Sequence, residues 1–153
     1  MQTSPVLEVS GLTKTYSKKG ENFQAVNNIS FAVAGGEIVG VLGPNGSGKT
    51  TTLKSICGLT GIDAGEIRLH GDNTATRQRS LKLHIGAVLE GARNVYWRLT
   101  PMENIVYFAG LKGLGRKQAK LRADELLTIL ALNDYRDQEV RMLSKGNQQK
   151  VAI

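Results

Sequence analysis

Gly43-Pro44-Asn45-Gly46-Ser47-Gly48-Lys49-Thr50 decides the reading of this 153-residue chain. The string is a complete G-x-x-x-x-G-K-[ST] phosphate-binding loop. Its glycines let the backbone curl tightly enough for successive N–H groups to face phosphate oxygens. Lys49 is placed to reach β- and γ-phosphates as a compact cation, and the Thr50 hydroxyl suits Mg²⁺. Thr51 continues into the helix that the motif requires, whose N-terminal dipole favours an anion. The flanks agree. Ile38-Val39-Gly40-Val41-Leu42 is a short apolar run, the pattern of a parallel strand buried on both faces. After the loop, a helix over residues 51–58 sets Leu53, Ile56 and Cys57 on one face, with Gly58 as its stop. Strand, loop and helix in register imply binding of a nucleoside triphosphate.

Composition narrows the class. The formal charge is +7, from 20 Lys and Arg against 13 Asp and Glu, and 41% of residues are hydrophobic. No apolar run approaches the roughly 18 residues that span a bilayer, and Met1-Gln2-Thr3-Ser4-Pro5 carries no secretory leader pattern. The single Cys57 excludes an internal disulfide and fits a reducing compartment. On the apolar helix face it reads as a buried, inert thiol. The basic stretch from Lys112 to Arg122 has no interleaved aromatics, which favours a solvated helix start over a nucleic-acid surface.

Residues 6–10 and 23–33 have strand character, the second half-exposed and antiparallel in pattern. Gly65 to Gly71 alternates as a short strand, and Leu81, Leu83 and Ile85 alternate before an apolar run from Ala87 to Leu89. Beyond Glu90 the period becomes helical, with Ile105, Val106, Phe108 and Ala109 on one segment and Leu121, Leu126, Leu127, Ile129 and Leu130 on the next. The chain therefore divides into a strand-rich nucleotide-binding part, 1–89, and a helical part, 90–153.

Leu143-Ser144-Lys145-Gly146-Asn147 is the second informative string. Ser144 is a helix N-cap candidate, and Gly146 in the first turn allows a ligand to approach the backbone. About a hundred residues after a phosphate-binding loop, this string resembles the Leu-Ser-Gly-Gly-Gln signature of ABC transporter nucleotide-binding domains, and the likeness runs from about Val6 to the last residue. Lys145 and Asn147 depart from the signature in a way compatible with exporters of the ABC-2 type.

The resemblance implies an α/β P-loop NTPase, a RecA-like core with an antiparallel β subdomain, joined to an α-helical subdomain and incomplete at its C-terminus. It implies ATP and Mg²⁺ as cofactors, held by Gly43, Pro44, Asn45, Gly46, Ser47, Gly48, Lys49, Thr50 and Thr51. Tyr16, in Leu12-Thr13-Lys14-Thr15-Tyr16, takes the place of the adenine-stacking aromatic. Ser144 and Gly146 would contact the γ-phosphate held by an opposed second ATPase subunit. Glu90 stands at the Q-loop position, where with Thr50 it would serve Mg²⁺; a carboxylate is a hard ligand suited to that ion. Tyr96 and Trp97 follow in the stretch that, in the family, helps receive a transmembrane permease subunit, or they pack under the helical part. The implied protein is a transport ATPase on the inner, cytoplasmic face of a membrane, exporting rather than importing, with no nucleic-acid partner.

The family's Walker B aspartate, catalytic glutamate and switch histidine have no counterparts; His70 and His84 both precede the helical part. Phosphoryl transfer without them loses much of its stabilisation. The 153 residues alone are thus expected to be a fragment, inactive as an ATPase and poorly soluble, with apolar edges exposed. A soluble non-transport ABC ATPase and a binding-only module are the other readings. An unrelated P-loop GTPase is disfavoured, since no Asn-Lys-x-Asp string occurs.

Overall fold

The computed structural model describes residues 5–18, 20–74, 84–89 and 94–153. The chain forms two compact units, Met1–Ala87 and Val88–Ile153.

The first unit is built on a long hairpin of β1 (Leu7–Lys18) and β2 (Glu21–Val33). β3 (Ala64–Leu69) pairs antiparallel with the other edge of β1, and β4 (Asp72–Asn73) with β3, giving the order β2-β1-β3-β4. β1 runs well past the expected strand at 6–10, because its second half is carried by cross-strand pairing down to Lys18 opposite Glu21. The irregularity between Val9 and Leu12 has a local cause. Gly11 sits at φ +61°, its N–H donating to Ser30 Oγ at 2.8 Å, and Gly65 at φ +88° crosses it so closely that a Cβ there would lie 2.4 Å from the Gly11 carbonyl oxygen. Val9, Leu12, Val26 and Ile67 form the core, with Leu7, Ile29, Phe31, Ile56 and Ile62 packed on it.

The loop between β3 and the preceding helix is pinned by Asp63. Its Oδ1 accepts from Lys14 Nζ and its Oδ2 from the Thr15 N–H, both at 2.7 Å. The Lys14 hydrogen bond, then that of Thr15, holds the carboxyl below its ordinary value. A depressed carboxyl stabilises the fold above its unfolded pKa, and that stabilisation is lost as pH falls through the lower, folded value. Asp63→Asn is therefore expected to melt below the parent near neutral pH, with the gap closing on acidification below about pH 4. Thermal melts at a series of pH values test this; a pH-independent gap would count against it.

Two expectations are corrected here. The run 38–42 is not a buried parallel strand: it lies outside the sheet, with Ile38 98% and Leu42 94% exposed. A parallel strand needs a hydrogen-bonded neighbour, and among the described residues every strand pairing is antiparallel and none involves this run. The helix after the loop, α1, spans Lys49–Ile56 rather than 51–58. Gly58, at φ +66°, follows its end, and the Leu59 N–H closes back on Lys54 O at 2.8 Å. Its buried residues are Thr52 and Ser55, whereas Leu53 is 45% exposed. Only Ile56 of the expected apolar face packs on the core, because the helix turns its 52/55/56 stripe inward. Cys57 is half-buried, and desolvation raises its pKa, which keeps the thiol protonated.

The second unit holds α2 (Pro101–Leu111), α3 (Arg116–Ile129) and α4 (Lys145–Ala152), with 3₁₀ turns at Asn133–Tyr135 and Val140–Met142. α2 starts at a capping box: Thr100 Oγ1 accepts from the Glu103 N–H at 3.1 Å, and Glu103 Oε2 from the Thr100 N–H at 2.9 Å. α3 buries the small stripe Ala119, Ala123 and Leu127, leaving Leu121 and Ile129 exposed. Its basic start, Arg116, Lys117 and Lys120, is solvated, as the composition suggested. Leu127, Leu132, Val140, Leu143 and Val151 make the core, with Val95, Met102, Ile105 and Leu130 against it. Residues 85–89, expected to continue a strand, carry none, and Leu81 and Leu83 lie outside the described residues.

Candidate functional site

The phosphate-binding loop connects the exposed run 38–42 to α1. Its fold follows from three glycines. Gly46 and Gly48 sit at φ +85° and +87°, the left-handed region that L side chains avoid. Gly48 is also in close contact: a Cβ there would come within 2.2 Å of the Ala25 carbonyl oxygen and 3.2 Å of Val26 Cγ2, both on β2. A Cβ on Gly43 would lie 2.7 Å from Ser47 Oγ, across the loop. The loop thus rests against the hairpin through Gly48 and closes on itself through Gly43, while the space at Gly46 is open.

Lys49 crosses the loop, its ammonium donating to Gly43 O and Pro44 O, each at 2.7 Å. Gly48 is the N-cap of α1 and no side chain caps that terminus, nor is there an acidic residue in the first turn. The first-turn N–H groups are therefore presented at the loop without a side-chain acceptor, as an anion site requires. Thr50 is exposed beside them. The donor set is all cationic or N–H apart from hydroxyls, which fits a triphosphate accompanied by Mg²⁺. Groups of three or more His, Cys, Asp or Glu able to hold a metal are absent among the described residues.

Tyr16 lies on β1 opposite Phe23, and both rings are exposed, at 40% and 60%. Lys14 Nζ stands 5.6 Å from the Tyr16 ring centroid, so one face carries a cation. Glu90 lies outside the described residues.

In the second unit Ser144 caps α4, its Oγ accepting from the Asn147 N–H at 3.3 Å. Gly146 has open space where a Cβ would sit. Gln148 anchors the turn below, donating from Nε2 to Val140 O at 3.2 Å and Leu143 O at 3.0 Å. Lys150 Nζ donates to Leu130 O at 3.0 Å, tying α4 to the end of α3.

Tyr96 and Trp97 are half-exposed, at 49% and 46%, and the Tyr96 ring lies against α2 of the helical unit. Tyr96 forms an aromatic cluster with Tyr107 and Phe108 at centroid distances of 4.9 and 5.9 Å, and its hydroxyl meets that of Tyr107 at 3.3 Å. Sequence reading missed Tyr107 and, more importantly, Asn104. Asn104 is 1% exposed; its Oδ1 accepts from the Tyr96 N–H at 2.7 Å, and its Nδ2 faces the carbonyls of Tyr96, Leu99 and Thr100 at 3.0, 3.3 and 3.0 Å. One amide thereby holds the aromatic loop in place. Nothing in the sequence separates it from a surface asparagine.

The ABC transporter family pattern matches residues 26–153. The chain is 35% identical over 148 residues to the ABC transporter ATP-binding protein NatA of Bacillus subtilis, covering 97% of this chain and 60% of that protein. It is 32% identical to the energy-coupling factor transporter ATP-binding protein EcfA1 of Streptococcus pneumoniae, over 97% of this chain and 54% of that one. Among solved structures, a dimeric bacterial ABC transporter cassette superposes with a TM-score of 0.83 at 29% identity, covering 96% of this chain and 67% of that chain. A dimeric ATP-binding cassette bound to ADP and Pi gives 0.82 at 27%, covering 95% and 66%. The chain spans a little over half the length of these curated relatives. It has the P-loop NTPase fold and belongs to the ABC transporter family of ATP-binding domains.

Proposed function

We infer that the chain binds Mg-ATP at residues 43–51 and that, in a whole protein, it is the ATP-hydrolysing subunit that drives a membrane permease. The observation that carries this is the loop itself. A lysine ammonium spans it, two glycines take left-handed geometry, and the N-terminus of α1 stands uncapped. Bound Mg²⁺ would neutralise phosphate charge, with Thr50 as its protein ligand and Glu90 as a second. The γ-phosphate would be gripped by Lys49 and, from a second subunit, by Ser144 and Gly146 at the start of α4. The two solved cassettes that resemble this chain are dimers, which supports a two-subunit arrangement. Tyr16 offers its exposed ring to the adenine. The half-exposed Tyr96 and Trp97 are the proposed docking aromatics for the permease, and the working protein would then sit at the cytoplasmic membrane face. Among the described residues no helix is long and apolar enough to cross a membrane.

Export rests only on the Lys145 and Asn147 variant of the signature. Relatives whose names state a direction, the spermidine/putrescine protein PotA and the methionine protein MetN, are importers, so direction is better sought in the permease than in this site.

Isothermal titration tests the reading. The chain should take up one Mg-ATP, and Lys49→Ala should weaken it roughly 100-fold, the loss of a charge-assisted contact to phosphate, with an unchanged melting temperature. Equal affinity in both proteins would refute it.

A further inference from the structure

The basic start of α3 plays no part in the nucleotide site. From Asn104 to Ala123 the chain carries Lys112, Arg116, Lys117, Lys120 and Arg122 and not one Asp or Glu. As local structure this placement is unfavourable twice over. Arg116 and Lys120 are like charges at i,i+4, which repel. Arg116 and Lys117 stand in the first turn of α3, which holds no acidic residue and no side-chain cap, so they oppose the helix dipole. Among the described residues no ion pair reaches Arg116, Lys117 or Lys120 to offset this. Arg122 differs: it lies round the helix from them and holds Glu125 Oε2 at 2.6 Å. A local rule broken without compensation inside the fold points to a surface kept for a partner.

The same end of the helical hairpin bares apolar side chains. Leu111, the last residue of α2, is 63% exposed and Leu121 is 60% exposed. Arg116, Lys117, Lys120 and Leu121, at i, i+1, i+4 and i+5, occupy an arc of about 140° on the first two turns of α3. Leu111 and Lys112 adjoin them across the turn at 112–115, where Gly113 at φ +90° reverses the chain. Cations interspersed with leucines suit a surface that lies on an anionic bilayer, with ammonium and guanidinium groups at the headgroups and the leucines below. A nucleic acid would engage the cations and leave the leucines in water. Towards α2 the patch meets a cleft of about 380 Å³ that Arg116 and Lys120 line together with Glu103 and Asp137. Those carboxylates repel a phosphodiester, so the contact belongs to the outer surface and not to a headgroup seated in the cleft.

We propose that the α2–α3 turn, through Lys112, Arg116, Lys117, Lys120, Leu111 and Leu121, binds the headgroup surface of an anionic bilayer. The inference rests on the reading of the chain as a permease-driving subunit, which would bring a bilayer within reach of this unit. The attraction follows the surface charge of the membrane and not the identity of the headgroup.

Flotation with lipid vesicles tests it. At about 0.1 M salt the chain should associate with phosphatidylcholine vesicles containing about 30% phosphatidylserine, equally well with phosphatidylglycerol in its place, and weakly with phosphatidylcholine alone. Salt at about 1 M, which shortens the screening length to about 3 Å, should release it. Each cation near such a surface contributes roughly fivefold in partition, so Lys117→Gln should lose about fivefold and the triple variant Arg116→Gln, Lys117→Gln, Lys120→Gln about 100-fold. Arg122→Gln, which removes the same charge from the paired side, should bind like the parent. Circular dichroism should show the triple variant as helical as the parent, since all three side chains are exposed. Equal binding by parent and triple variant, equal binding to neutral vesicles, or capture by duplex DNA without capture by vesicles overturns the proposal. Mg-ATP titration of the same samples separates the two readings. A parent that takes up Mg-ATP and ignores anionic vesicles sinks only this proposal, and one that binds vesicles but no Mg-ATP sinks only the nucleotide reading.

Discussion

Gly48→Ala is expected to abolish measurable Mg-ATP binding, weakening it at least about 100-fold, a loss near 3 kcal/mol. At φ +87° an alanine incurs about 1–2 kcal/mol of left-handed strain. Its Cβ would also lie 2.2 Å from the Ala25 carbonyl oxygen, part of the β2 backbone, which has no rotamer with which to yield. The loop must lift off the hairpin, and the N–H groups at the start of α1 move with it. Gly20→Ala is the matched control, since Gly20 has φ +85° but nothing within 4 Å. It should lose about 1–2 kcal/mol of stability through backbone strain alone and keep its nucleotide affinity. Isothermal titration and urea denaturation of the two variants separate the effects; equal affinities would contradict the contact at Gly48.

Asn104→Ala is expected to destabilise the helical unit by about 3–4 kcal/mol. The substitution strands the Tyr96 N–H and removes the donor facing three carbonyls, in a place that is 1% exposed. The same loop is held from its other side by the Val140 N–H on Leu99 O and the Arg141 N–H on Trp97 O, both at 3.0 Å. Loosening it should therefore disturb Trp97 directly. Asn104→Asp should do at least as much harm, because it sets a carboxylate oxygen against carbonyl oxygens. Urea unfolding followed by the fluorescence of Trp97, the only tryptophan, reads both. A shift under 1 kcal/mol for Asn104→Ala would show that the loop does not depend on this amide.

The parts of the fold legible in sequence were those where a local rule acts alone. The P-loop glycines, the Ser144 cap and the Gly58 stop each follow from the conformation that one residue permits. Thr100 and Glu103, with the right residue types at the right spacing for a capping box, belong to the same class. What sequence could not supply was set by partners. The apolarity of 38–42 describes an environment those residues favour, and among the described residues that environment is not there. The inward turn of Thr52 and Ser55, and the exposure of Leu53, Leu121 and Ile129, depend on which neighbour each helix face meets. Asn104 was illegible because its role resides in four backbone groups spread over residues 96–100. The candidate site divides likewise: the loop geometry agrees with its motif, whereas the roles of Tyr16, Ser144 and Gly146 need a nucleotide and a second subunit to act upon.

The most direct test of the central claim is the response of backbone amides to Mg-ATP, followed by ¹⁵N–¹H correlation spectra of the chain. The account predicts that the amides of Gly46, Gly48, Lys49, Thr50 and Thr51 shift together and saturably, while those of Lys49→Ala stay still under the same titration. Shifts confined to other residues, or an identical response in Lys49→Ala, would contradict it.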